Sequence, residues 1–197
     1  MDNGGDNAYY KRIVGANKEN YIRVKIDDDI IEKIKELTYR VVIEKQKEFH
    51  HKFDGNKEYK RFYTGFLGEA AIEKVFGINI IDWSYGDSKK YDVADLSKIG
   101  LKIGIKTSEV YNFPIIFKHN TYPQIINIRY GSNVIFICGL ATVDILNCYQ
   151  NDELILSPAL RRKGTKTGFY GFNELISLKG ITDINELDRY CHELVYN

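Results

Sequence analysis

The chain has 197 residues, 44% of them apolar and 28% charged, so it can bury a sizeable core without disulfides or a structural metal, and a disordered chain is excluded. Its 28 basic and 27 acidic residues leave a formal charge of +1, which excludes coating of nucleic acid by bulk charge but not a local basic patch. Cys138, Cys148 and Cys191 are odd in number and lack CxxC spacing, which argues against a disulfide framework or zinc knuckle and for a reducing, cytoplasmic setting. No apolar run is long enough to span a bilayer. The 15 Tyr and 10 Phe against 3 Pro and 1 Met have two readings, a codon bias or rings that stack on bases.

Residues 1–20 lack an apolar signal core and read as a flexible lead-in to a single domain over 21–197. YIRVKI at 21–26 alternates like a short strand. Asp27, Asp28 and Asp29 suit the positive end of a helix. Ile30, Ile34, Leu37, Val41 and Val42 recur at helical spacing, so a long helix is expected to about Phe53. After a break at 54–58, a second helix is expected from Tyr59 to Phe76, stopped by Gly77. The texture then turns to β-like runs: INII, YDVADL, LKIGIKT, FPIIF, QIINIRY, NVIFICG and TVDILNCY. Helix returns weakly at 172–177 and more clearly over 183–195. The order predicts a mixed α/β (α+β) domain.

The chemistry-bearing stretch is Gly65 to Glu109. On the second helix Glu69 shares a face with Phe62, Phe66, Ile72, Phe76 and Glu73. A carboxylate in an apolar stripe needs a cation, a metal or hydrogen bonds, so it is either paired with a lysine or held for metal or acid–base work. Asp92 lies in a β-like run where Asp is disfavoured. In LKIGIKTSE, Leu101, Ile103 and Ile105 share one face of a strand, and Lys102, Gly104 and Lys106 the other.

That order, GFLGEAA on a helix, YDVAD and then IGIKTS, resembles the PD-(D/E)XK nuclease superfamily with its restriction-endonuclease-like fold. The resemblance spans residues 65–109 and implies a central mixed β-sheet flanked by helices. It implies a magnesium site, with manganese as an alternative ion, held by Glu69, Asp92 and the Ile105 carbonyl, with Lys106 as the catalytic lysine. Two carboxylates and a carbonyl suit a hard cation that keeps several waters. Gly104 stands where the family has Asp or Glu. Three explanations stay open: Glu69, Glu73 or Glu109 replaces the missing acid, the chain is an inactive variant, or it is a relative that binds without cutting. An acid restored at Gly104 is expected to point with Lys106 and complete the ligand set.

SPALRRKGTKTGFYG at 157–171 carries Arg161, Arg162, Lys163 and Lys166 without an acid, which fits either a solvated loop or a phosphate-tracking one. Lys89 and Lys90 flank the proposed site in the same way. Nothing matches GxGxxG, GxxxxGK[ST] or GxSxG. The leading expectation is a magnesium-dependent endonuclease cutting double-stranded DNA as a homodimer, since two symmetry-related copies cut two antiparallel strands most simply. The alternative is a non-catalytic nucleic-acid-binding or regulatory protein on the same fold.

Overall fold

The computed structural model describes residues 4–46, 55–84, 94–184, 186 and 187. Its helices are α1 (Gly4–Ile13), α2 (Asp28–Gln46), α3 (Gly55–Phe76), α4 (Val143–Cys148) and α5 (Pro158–Lys163). Its strands are β1 (Ile22–Lys25), β2 (Gly104–Glu109), β3 (Ile115–Phe117), β4 (Gln124–Tyr130), β5 (Val134–Ala141), β6 (Gln150–Asn151) and β7 (Lys166–Phe169). The strands form a four-stranded sheet in the order β1-β5-β4-β2 and a three-stranded sheet in the order β3-β7-β6. In the larger sheet β2 runs parallel to β4 and the other pairs are antiparallel, so the sheet is mixed.

Strand alternation separates two apolar layers. Val24, Ile125, Ile135 and Ile137 face one way and pack with Ile34 and Leu37 of α2 and Leu67, Ala71 and Ile72 of α3. Ile126, Ile128, Phe136 and Cys138 face the other way, toward Tyr10 of α1, Ile116 of β3 and Phe169 of β7. The larger sheet is thus covered by two long helices on one face and by α1 with the smaller sheet on the other. Among the described residues no helix is long and apolar enough to cross a membrane.

Four expectations are corrected. Residues 4–20, read as a flexible lead-in, form α1 and a 3-10 turn at Gly15–Asn20, because Tyr10 and Val14 are buried and the Tyr21 hydroxyl donates to the Val14 carbonyl at 2.9 Å. The run TVDILNCY is helix α4 rather than a strand, since the Thr142 hydroxyl accepts the Ile145 N–H at 3.3 Å and caps it. INII is a loop: the Ile80 and Ile81 amides donate to Glu73 at 2.6 and 2.7 Å instead of to a neighbouring strand. YDVADL does not continue as a strand, because Asp95 opens a 3-10 turn (Asp95–Ile99) closed by Gly100 at φ +87°. Of the expected carboxyl-terminal helix, residues 184, 186 and 187 are helical and the remainder lies outside the described residues.

Candidate active site at the open edge of β2

Among the described residues, strand β2 is the last strand of the larger sheet. Gly104 donates its N–H to the Pro123 carbonyl at 2.9 Å, so even-numbered residues of β2 bond toward β4 and the intervening ones point to the open edge. The 3-10 turn covers that edge. Leu96 donates to the Ile103 carbonyl at 3.0 Å, and the Asp95 carboxylate accepts the Ile105 N–H at 2.5 Å. The Ile105 carbonyl points the same way as its N–H, toward Asp95.

Glu69 approaches from α3, whose contact with β2 is unusually close. A Cβ on Gly68 would lie 1.8 Å from Thr107 Oγ1, so only glycine lets the helix settle there, and Glu69 follows it directly. Ile72 and Phe76 beside Glu69 are buried and Phe62 and Phe66 are half-buried, as the helical wheel requires. Burial pushes the Glu69 carboxyl up to about 8; the like charges of Asp95 and Glu73 add to it, and Lys98 offsets part. Asp95 is exposed, yet desolvation by the surrounding protein raises it above the ordinary carboxylate range, against the Ile105 N–H and the Lys106 ammonium, which pull it down. Lys106 lies on the face of β2 opposite Ile105, Thr107 and Glu109. Burial lowers its ammonium; Lys166 and Arg61 lower it further, and Asp95 partly holds it up.

Asp95 is therefore the hinge of the site, within electrostatic reach of Glu69 on one side and Lys106 on the other. The resemblance points instead to Asp92, three residues earlier in the same run; Asp92, Lys89 and Lys90 lie outside the described residues. The only signal for Asp95 was its presence in YDVADL, ten residues before Ile105.

The two replacement acids are already engaged. Glu73 accepts the Ile80 and Ile81 amides and shapes the turn after α3. Glu109 pairs with Lys60 and with Arg129 at 3.2 Å, and accepts the Thr64 hydroxyl at 3.4 Å. The Gly104 position is not an open slot either: a Cβ there would meet the Tyr122 ring at 2.8 Å and Gln124 Cγ at 3.4 Å, so a longer acid must first displace the ring.

Of the basic residues, Lys166 on β7 joins Lys106. Its ammonium lies 5.1 Å from the Phe117 ring centre and is lowered by burial and by the charges of Arg61 and Lys163. Arg161 instead donates twice to the Ile155 carbonyl, at 2.8 and 3.2 Å, and ties α5 to the loop before it. Arg162 and Lys163 share with it the last turn of that helix. Among the described residues, no three His, Cys, Asp or Glu side chains stand together as a metal cluster. The oxygen donors that could hold a hard cation are the carboxylates of Glu69, whose ionised form the charge of Asp95 opposes, and of Asp95, with the Ile105 carbonyl beside it. No family model, curated protein or solved structure matches this chain.

Proposed function

We propose that the chain is a divalent-metal-dependent endonuclease acting on DNA, with a restriction-endonuclease-like arrangement of its larger sheet and helices. The observation that carries the reading is the position of Asp95 at the edge of β2, where its carboxylate accepts the Ile105 N–H and lies within electrostatic reach of both Glu69 and Lys106, with Lys166 and Arg61 adding positive charge beside Lys106. Glu69, Asp95 and the Ile105 carbonyl are the groups that would hold the ion, magnesium or manganese, with Asp92 a further candidate. When bound, the ion supplies charge that polarises phosphoryl oxygens and acidifies a water. Asp95 fixes the edge of β2 through the Ile105 N–H and so sets where Lys106 stands. Lys106 offers positive charge to the phosphorus as negative charge builds on its oxygens. Its lowered ammonium also lets it take up or release a proton nearer neutral pH than an exposed lysine does. Lys166 and Arg61 hold neighbouring phosphates. A homodimer would present two such edges to the two strands of a duplex.

One observation favours a second reading, a nucleic-acid-binding protein that does not cut: Tyr122 fills the space beside Gly104, and Glu73 and Glu109 are engaged elsewhere. Incubation of linear and supercoiled DNA with the protein and Mg²⁺ or Mn²⁺ separates the two. The nuclease reading expects cleavage that EDTA stops and that Asp95→Asn and Lys106→Ala each reduce by about 100-fold or more. DNA binding with no cleavage by the wild-type chain in either metal supports the second reading.

A further inference from the structure

A cavity of about 280 Å³ adjoins Ile115 of β3, and neither Glu69 nor Asp95 lines it. Tyr9, Tyr111, Phe113, Ile115, Ile155 and Leu156 line it, and Asn112, Glu153 and Ser157 place polar groups among them. Tyr111 is its most informative wall. It occupies the third position of the turn from Glu109 to Asn112, in which the Asn112 N–H donates to the Glu109 carbonyl at 3.0 Å. Its φ is +67°, and among the described residues no other non-glycine has a positive φ. Gly or Asn adopts that conformation at lower cost. Burial does not explain the tyrosine, since it remains 52% exposed. Its ring stands edge-on to Tyr10 with centroids 5.5 Å apart, and Tyr10 in turn meets Phe113 at 5.4 Å, so the strained turn holds one ring of an aromatic set open to solvent. Strain retained without burial is the kind found where a side chain serves a ligand.

Flat aromatic walls with a carboxylate, an amide and a hydroxyl among them suit a ring that carries both hydrogen-bond donors and acceptors. The surrounding charge suits a ligand with phosphates: Arg12 stands 5.4 Å from the Tyr9 ring centre, and the basic last turn of α5 follows Leu160, another lining residue. Ile115 and Phe117 point to the same side of β3, about 7 Å apart, and Lys166 covers Phe117. A strand whose phosphates lie at Lys166 can therefore lay a nearby base at Ile115. We propose that this cavity receives an unpaired nucleobase of a bound DNA strand, stacked against Tyr111 and Phe113. The proposal rests on the nucleic-acid reading above but not on cleavage.

The test titrates the full chain, in EDTA, into a labelled single-stranded oligonucleotide carrying one 2-aminopurine, following anisotropy and 2-aminopurine emission. Wild type should bind and change the emission. Tyr111→Gly, which relieves the positive φ, should keep the wild-type melting temperature or raise it, yet weaken binding at least about fivefold and lose the emission change. Leu156→Asp, at a site 74% exposed and so tolerant of a charge, should weaken binding likewise and keeps the test independent of Tyr111 folding effects. Failure of wild type to bind, or binding by both variants within twofold with the emission change intact, overturns the proposal. A parallel cleavage assay with Mg²⁺ distinguishes the two readings. Tyr111-dependent binding without cleavage removes the nuclease and keeps the pocket, and cleavage with Tyr111-independent binding does the reverse.

Discussion

Glu69 sits between the apolar face of α3 and a second carboxylate, so its ionised form is opposed by both burial and like charge. The consequence for stability has a definite sign. The unfolded carboxyl titrates near 4.5 and the folded one near 8. Between those values the folded chain holds a proton that the unfolded chain has released, so stability falls as pH rises through this window and levels off above it. One such group contributes a slope of at most about 1.4 kcal/mol per pH unit. Urea unfolding in EDTA at several pH values from 5 to 8 should show wild type losing stability relative to Glu69→Gln, whose uncharged amide removes the proton uptake. Parallel stability curves for the two chains would refute the burial and charge assignment. Asp95 differs, because the Ile105 N–H and Lys106 partly satisfy its charge, and Lys106 in turn leans on Asp95 against Lys166 and Arg61. A divalent cation between Glu69 and Asp95, as the proposed function has it, would remove the conflict at Glu69.

Helix α3 reaches this arrangement through Gly68. Its missing side chain lets the helix touch Thr107 of β2, whose hydroxyl is buried with no hydrogen-bond partner, and lets the Asn127 amide donate to the Gly68 carbonyl at 3.4 Å. Gly68→Ala must push α3 off β2, because a Thr107 fixed in a strand cannot swing away; a loss of roughly 2 kcal/mol or more is expected in urea unfolding. Gly65→Ala, where a Cβ meets nothing within 4 Å, should be neutral or stabilising by up to about 1 kcal/mol. Thr107→Ala added to Gly68→Ala should restore part of the loss. If Gly68→Ala is as harmless as Gly65→Ala, the close approach does not set the position of Glu69. The cores of α2 and α3 were legible, because the spacing of Ile30, Ile34, Leu37, Val41 and Val42 and the stop at Gly77 are local signals, but α3 starts at Gly55, inside the break expected at 54–58. The strands β4 and β5 were legible as apolar runs for the same reason. Helix α1 and helix α4 were not, since tertiary packing of Tyr10 and a single Thr142 cap decided them. Of the candidate site, periodicity placed Glu69 on the apolar face of α3 and Lys106 on the face of β2 opposite Ile105, whereas the contact of Asp95 with Ile105 depended on which edge the 3-10 turn covers, and Tyr122 beside Gly104 on a contact eighteen residues away. The backbone angle of Tyr111 leaves no mark in the sequence at all.

Across the whole molecule a net charge of +1 conceals an uneven distribution. Lys106, Lys163, Lys166 and Arg61 lie close enough for Lys166 to feel Arg61 and Lys163, and for Lys106 to feel Lys166 and Arg61. Mutual repulsion of this kind costs stability unless an anion relieves it, and a phosphate backbone is the anion that the nuclease reading supplies. Arg161 belongs to the scaffold rather than to this set, because its guanidinium holds the Ile155 carbonyl; neutralising it with its neighbours would mix a folding defect into a binding measurement. Lys163→Ala combined with Lys166→Ala is the cleaner variant. Lys163 ends α5 in solvent, and the Lys166 ammonium rests over a ring without an ion-pair partner among the described residues. For duplex DNA each phosphate contact contributes about 0.9 to the slope of log affinity against log salt, so removing both lysines should flatten that slope by about 2. Anisotropy titrations in EDTA between roughly 50 and 200 mM salt measure it. A variant that binds more weakly with the wild-type slope would place the two lysines away from the phosphates, and one indistinguishable from wild type would return them to ordinary surface.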